Sequence, residues 1–137
     1  MEIEDFFKIY QNSAWSKDTK SMINLYNEQA VIFDMWDHGY NSNSSEWNNI
    51  IIDWLGSLEE EKVKVDFEMV KIHKSDNIGF ASALIQFQAI SSNGIVLRSM
   101  KNRITLGFLK FEDGWKVIHQ HTSAPIRSSD LTAILDI

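Results

Sequence analysis

The run Asp113-Gly114-Trp115-Lys116-Val117-Ile118-His119-Gln120-His121-Thr122-Ser123, close to the end of the 137-residue chain, places two imidazoles two residues apart. Histidine gains and loses a proton near neutral pH, so two of them in an enclosed site supply an acid and a base. Residues two apart share one face of a strand. Trp115, Val117, His119, His121 and Ser123 therefore form one row, and Lys116, Ile118, Gln120 and Thr122 the other. Two imidazoles, an indole and a hydroxyl suit a mixed polar cavity, whereas the second row suits a partly wet outer face or a subunit contact. The expectation is that His119, His121 and Trp115 face inward. Two other roles compete. A buried histidine commonly just donates one N–H to a carbonyl or carboxylate, and His-x-His on a strand presents two nitrogens to one metal ion. No third or fourth ligand is evident, so the reading assigns neither a metal nor a cofactor.

Asp34 follows four apolar residues, Ala30 to Phe33. An acid there is desolvated, its pKa raised and its usefulness as a base increased. The competing role is a turn residue entering the polar loop with Asp37 and Asn41. Arg103 interrupts an apolar register near Ile104 and Leu106, where it suits a carboxylate clamp on a ligand or an ion pair with Asp34. The ion pair would lower the acid's pKa and weaken it as a base. Tyr10 is a candidate hydroxyl donor to a ligand oxygen, against the plainer role of a core aromatic. Trp36 and Trp54 are candidates for cavity wall or lid.

Apolar residues at three- and four-residue spacing mark a first helix through Ile3, Phe6, Phe7, Tyr10 and Trp15. A second, capped by Ser16 with Asp18 two residues on, buries Met22, Ile23 and Tyr26. A short strand, Ala30 to Phe33, precedes the polar loop Asp37 to Ser45. Ser44 or Ser45 caps a third helix carrying Trp47, Ile50, Ile51, Trp54 and Leu55, ended by Gly56 and Ser57, and Glu59 to Lys62 is a solvated connection. From Val63 the period becomes two. Val63, Val65, Phe67 and Met69 alternate inward before Val70 and Ile72 break the phase, as an inserted bulge residue does. Turns at 75–77, 91–94 and 112–114 separate strands at 78–90, 95–111 and 115–123. Helices followed by a curved antiparallel meander give an α+β fold, cone-shaped, with the N-terminal helices on the concave face. Ser128 to Ile137 reads as either a short closing helix or a partner-binding tail.

The length suits one domain over residues 1–137. A formal net charge of −6, with the 13 Lys and Arg scattered along the chain, makes nucleic acid a poor partner. The absence of cysteine excludes thiol nucleophiles, disulfides and thiolate metal sites. An acidic opening stretch without an apolar run argues against a secretory signal or a membrane span and points to the cytoplasm. Five Trp, eight Phe and three Tyr are enough to line and close a cavity.

The segment from Asp113 to Pro125, with its Trp, His-x-His-x-Ser and nearby Pro, resembles the last strand of SnoaL-like domains and of the calcium/calmodulin-dependent kinase association domain. The order of helices, early strand and hairpins is similar to the nuclear transport factor 2-like superfamily over almost the whole chain. Tyr10 and Asp34 also resemble the first-helix Tyr and first-strand Asp of its ketosteroid isomerases. The later strand, Arg103-Ile104-Thr105-Leu106-Gly107, lacks the protonated Asp of those enzymes. The resemblance implies a pocket in the cone for a small apolar or carboxylate-bearing ligand. Asp34, His119 and Tyr10 are its candidate catalytic residues, and Arg103, His121, Trp36, Trp54 and Trp115 its candidate ligand contacts. Two functions follow: proton transfer α to a carbonyl, or a non-catalytic sensing or association module. A homodimer through the outer sheet face, with Ile118 and its neighbours, is expected under either.

Overall fold

The computed structural model describes residues 1–37, 39–42 and 44–137; His38 and Asn43, both in the expected polar loop, lie outside the described residues. The elements are α1 (Asp5–Ser16), α2 (Thr19–Ile23), β1 (Tyr26–Phe33), α3 (Ser44–Gly56), β2 (Lys62–Lys74), β3 (Ile78–Ile90), β4 (Val96–Phe111) and β5 (Gly114–Ser123). They form an α+β fold with one sheet in the order β1-β5-β4-β3-β2. The meander β2 to β5 is antiparallel, and β1 joins its far edge parallel to β5. The meander is antiparallel as expected, and the early strand, whose pairing the sequence left open, makes the sheet mixed. A parallel partner needs a long crossover, and everything from α3 to β4 supplies it.

Phe6, Tyr10, Ser13 and Ala14 form the buried stripe of α1. The helix stops at Lys17, whose left-handed backbone (φ 57°) closes the last turn. The cap of α2 is Asp18, whose carboxylate accepts the Ser21 N–H at 3.0 Å. Ser16, the expected cap, instead donates its hydroxyl to the Asn12 carbonyl at 2.7 Å within α1. Trp47, Ile51 and Leu55 are the buried stripe of α3.

Register shifts bend the sheet in three places along the meander. In β2 the shift falls between Glu68 and Lys71, where Met69 has φ 55°. A bulge was expected here, but Met69 lies inside it and is 74% exposed rather than inward. In β4 the pairs Ala89–Arg98 and Ile90–Val96 leave Leu97 over. In β5 the pairs Gly107–His119 and Phe108–Val117 leave Ile118 over. An extra residue exchanges the two faces of a strand. Trp115 and Val117 thus face the helices, but beyond Ile118 the inward residues are Gln120 and Thr122, both buried. The expectation that His119 and His121 face inward fails at this bulge.

The tail is not a helix. Leu131 takes φ 63°, its N–H donates to the Arg127 carbonyl at 2.8 Å, and the Arg127 N–H donates to Thr132 O at 2.7 Å. Leu135 O then accepts the Lys101 N–H at 2.7 Å, so the chain folds back on β4 beyond the end of β5.

Phe6 and Phe108, both fully buried, meet edge to face at 5.8 Å where α1 lies on the sheet. Truncating Phe108 removes ring contacts from both layers at once. Phe108→Ala is expected to cost about 3–5 kcal/mol in urea denaturation.

Candidate ligand cavity

A cavity of about 640 Å³ opens between α3, the segment after β1 and the inner faces of β3 and β4. That is the size of a small-molecule site. Four aromatic side chains stand in its walls: Trp36 comes from the segment after β1, Trp47 and Trp54 from α3, and Phe87 from β3. Trp54 and Phe87 meet edge to face at 5.9 Å, joining helix to sheet.

Asp34 stands at one end of this cavity, on the first residue after β1. Its Oδ1 accepts the Thr122 hydroxyl at 3.2 Å, and Thr122 Oγ1 in turn accepts the Met35 N–H at 3.1 Å. With one lone pair of Oγ1 so engaged, the Thr122 proton is directed at the carboxylate. Burial raises the Asp34 pKa above the ordinary carboxylate value. The Thr122 hydroxyl and the N–H groups of Met35 and Trp36 pull it down, and the charge of Asp37 pushes it up. Among the described residues no cation offsets the burial.

Asn102 lies on the inward row of β4, only 2% exposed, and also lines the cavity. Its Nδ2 faces Met35 Sδ at 2.8 Å, and its Oδ1 has no hydrogen-bond partner among the described residues. The Trp47 indole N–H is likewise buried without an acceptor in hydrogen-bonding geometry. It lies near enough to the Tyr26 hydroxyl to oppose slightly the rise that burial gives that phenol. Tyr26 itself donates to Gln120 Oε1 at 2.6 Å. Arg98 closes another part of the wall, its guanidinium already on the Glu61 carboxylate through contacts of 2.7 and 3.3 Å.

The structure brings Asp34, Trp36 and Trp54 together in the cavity, as the sequence suggested. It takes the other candidates elsewhere. Tyr10 is buried in the core outside the cavity wall, where desolvation, with a smaller push from Asp34, raises its pKa well above the ordinary phenol value. Trp115 is a core residue, 3% exposed, with its backbone N–H on Met1 O at 3.0 Å. Arg103 is on the outer face, its Nε donating to Ser123 Oγ at 3.1 Å. It neither pairs with Asp34 nor reaches a ligand in the cavity, because residues of β4 alternate and Asn102 and Ile104 hold the inward row. His119 Nδ1 lies 2.8 Å from the Val31 carbonyl, so that nitrogen carries the proton. His121 is exposed, with its ring edge to face against Phe33 at 5.4 Å. Both histidines occupy the outer face for the bulge reason given above. Among the described residues no three His, Asp or Glu side chains converge as a metal site.

The residues missed by the sequence reading are Thr122, Asn102 and Arg98. Thr122 was assigned outward by strict alternation. Asn102 carried a signal, since it is the polar member of the apolar row Asn102, Ile104, Leu106 and Phe108. Arg98 shares the inward row of Asn102 by plain alternation, two steps back along β4 and opposite Ala89.

With the cone, its mixed sheet and its cavity described, the class is defined: the chain belongs to the SnoaL-like domain family, which it matches over residues 3–127. No curated protein matches it. Among solved structures it is similar to a nuclear transport factor 2-like protein of unknown function from Pseudomonas putida (TM-score 0.84, 18% identity, 98% of this chain and 92% of that one). It is also similar to a protein from Xanthomonas campestris described as a calcium/calmodulin dependent protein kinase II association domain (TM-score 0.74, 14% identity, 98% and 87%). A third is ActVI-ORFA from Streptomyces coelicolor (TM-score 0.75, 9% identity, 88% and 92%). At these identities the likeness is one of fold.

Because burial raises the folded-state pKa of Asp34, the native state holds this proton more tightly than the unfolded chain does. The ionised carboxylate therefore opposes folding once the pH rises above the unfolded value of about 3.9. Asp34→Asn is expected to be at least as stable as the parent at pH 7, with the difference shrinking toward pH ~4 in urea titrations. Thr122→Val is expected to raise the Asp34 pKa further, and Thr122→Ser to leave it near the parent value, as followed by carboxyl NMR.

Proposed function

We propose that this SnoaL-like domain binds a small, largely apolar carbonyl compound in its cavity and moves a proton α to the carbonyl, with Asp34 as the base. The observation that carries this reading is Asp34 itself, a carboxyl with raised pKa at the end of an aromatic cavity and aimed by Thr122. A base of higher pKa takes a carbon-bound proton more readily, and the surrounding Trp and Phe rings limit competition from water. The roles first considered for Tyr10, Arg103 and the histidines in steadying an enolate oxygen pass to a donor that does line the cavity. Trp47 Nε1, buried and without an acceptor, is the candidate. This constellation differs from that of the ketosteroid isomerases, so the reaction is isomerase-like in class only.

The test is solvent deuterium exchange into a panel of cyclic ketones, read by NMR. Asp34→Asn is expected to slow exchange by roughly a hundredfold or more, while His119→Ala and Arg103→Ala leave it within about twofold of the parent. Equal rates for Asp34→Asn and the parent on every exchanging ketone would sink the proposal.

A second reading, association, has its own observation. The outer face of the sheet exposes Phe33 (37%) and Phe80 (48%), with His73 stacked on Phe80 at 5.0 Å and His119 edge to face with Phe33 at 4.9 Å. Such an apolar face suits a homodimer, and it leaves the cavity on the opposite side free. Light scattering is expected to give twice the chain mass for the parent and the chain mass for Phe80→Glu. A monomeric parent at millimolar concentration would remove this reading.

A further inference from the structure

Asp34 and Asp37 both line the cavity, and Arg98, its lining cation, is engaged by Glu61. A carboxylate ligand would meet two acids and no free guanidinium, so the clamp expected from Arg103 has no counterpart inside. The polar atom on the sheet floor that is buried without a partner among the described residues is the Asn102 carbonyl oxygen. Its orientation is chemically determined. The amide Nδ2 faces the Met35 thioether, a weak acceptor, and turning the amide over would set oxygen against sulfur and leave two N–H protons unmatched. Met35, which covers this amide, is unbranched and pliant, so it yields to an incoming group at little cost.

A buried acceptor without a partner is uncommon in a folded protein, and each one calls for a reason. We propose that Asn102 determines ligand selection: its Oδ1 receives a hydrogen bond from a neutral ligand hydroxyl, so the cavity takes a hydroxylated ring compound and rejects carboxylates. The proposal rests on the cavity being the ligand site of the proposed function but not on any turnover there. The ring system lies against Trp36, Trp54 and Phe87, and the hydroxyl points to the floor between β3 and the Met35 side chain. A ligand of the same shape without the O–H buries the Asn102 oxygen still unsatisfied and is discriminated against for that reason.

The test uses three probes of one shape, 2-naphthol, 2-methylnaphthalene and 2-naphthoate, titrated into the protein and followed by amide NMR shifts at Asn102, Thr122 and Trp54. The parent is expected to bind 2-naphthol roughly tenfold to a hundredfold more tightly than 2-methylnaphthalene, with 2-naphthoate weakest. Asn102→Leu should bring the first ratio close to one, and Asn102→Asp, which keeps an acceptor, should preserve it. If the parent binds 2-naphthol no better than 2-methylnaphthalene, or prefers 2-naphthoate, the assignment of Asn102 is overturned, and no variant is needed to see it. Ketone exchange without naphthol selectivity would overturn this inference alone. Selectivity without exchange would overturn only the proposed reaction, and failure of all three probes to bind would remove the cavity as the ligand site.

Discussion

The register of β5 is the constraint on which the rest depends. This strand is paired on both edges, parallel with β1 through Val31–His119 and Phe33–His121, and antiparallel with β4 through Gly107–His119 and Phe108–Val117. Two ladders fix it, so it cannot slide to suit its side chains. The extra residue, Ile118, has to be accommodated by a change of face. From that change follow the inward Thr122 that directs its proton at Asp34, the inward Gln120 that takes the Tyr26 hydroxyl, and the outward histidines.

The balance of charge in the cavity follows from which residues of β4 alternation turns inward. Arg98 shares the inner row with Asn102, yet Glu61 just before the meander holds that guanidinium at the rim. Arg103, five residues on, is turned outward. Among the described residues Asp34 is left with hydrogen-bond donors but no counter-ion, and desolvation dominates its pKa. Had Arg103 pointed inward, the same carboxyl would have been a paired anion and a poor base. One residue of register thus separates a desolvated carboxyl from an ion-paired one.

How much of this was legible in the sequence depends on the period of each segment. The stripes of α1 and α3, the turns, and the bulge in β2 announce themselves through apolar spacing, and the boundaries of α3 and of the long strands came out close to those observed. Asp34, Trp36 and Trp54 could be placed because they flank or sit within such clear elements. The failures on β5 share one cause. His119, His121 and Thr122 were assigned to faces by alternation alone, and Ile118 carries no composition signal that it is supernumerary. A β-branched or aliphatic residue looks the same to periodicity whether it is paired or bulged. Only the partners across the ladder reveal it. Parallel pairing of β1 was invisible for a similar reason, because it is set by the long connection and not by the eight residues of the strand.

The family motif needs a different reading in consequence. In this chain the Trp, His-x-His-x-Ser and Pro of the last strand do not act on one surface. Trp115 anchors the core at the closed end, and His119 ties its Nδ1–H to the Val31 carbonyl and so reinforces the junction between β5 and the parallel strand. His121 and Ser123 lie on the outer face with Phe33 and Arg103. The polar residues between them, Gln120 and Thr122, serve the inner face. A motif that resembles a catalytic row therefore works here as a hinge between two surfaces. One is the cavity lined by Asp34 and Thr122, and the other is an aromatic and histidine-bearing sheet face, so a substitution in one row of β5 leaves the contacts of the other row in place.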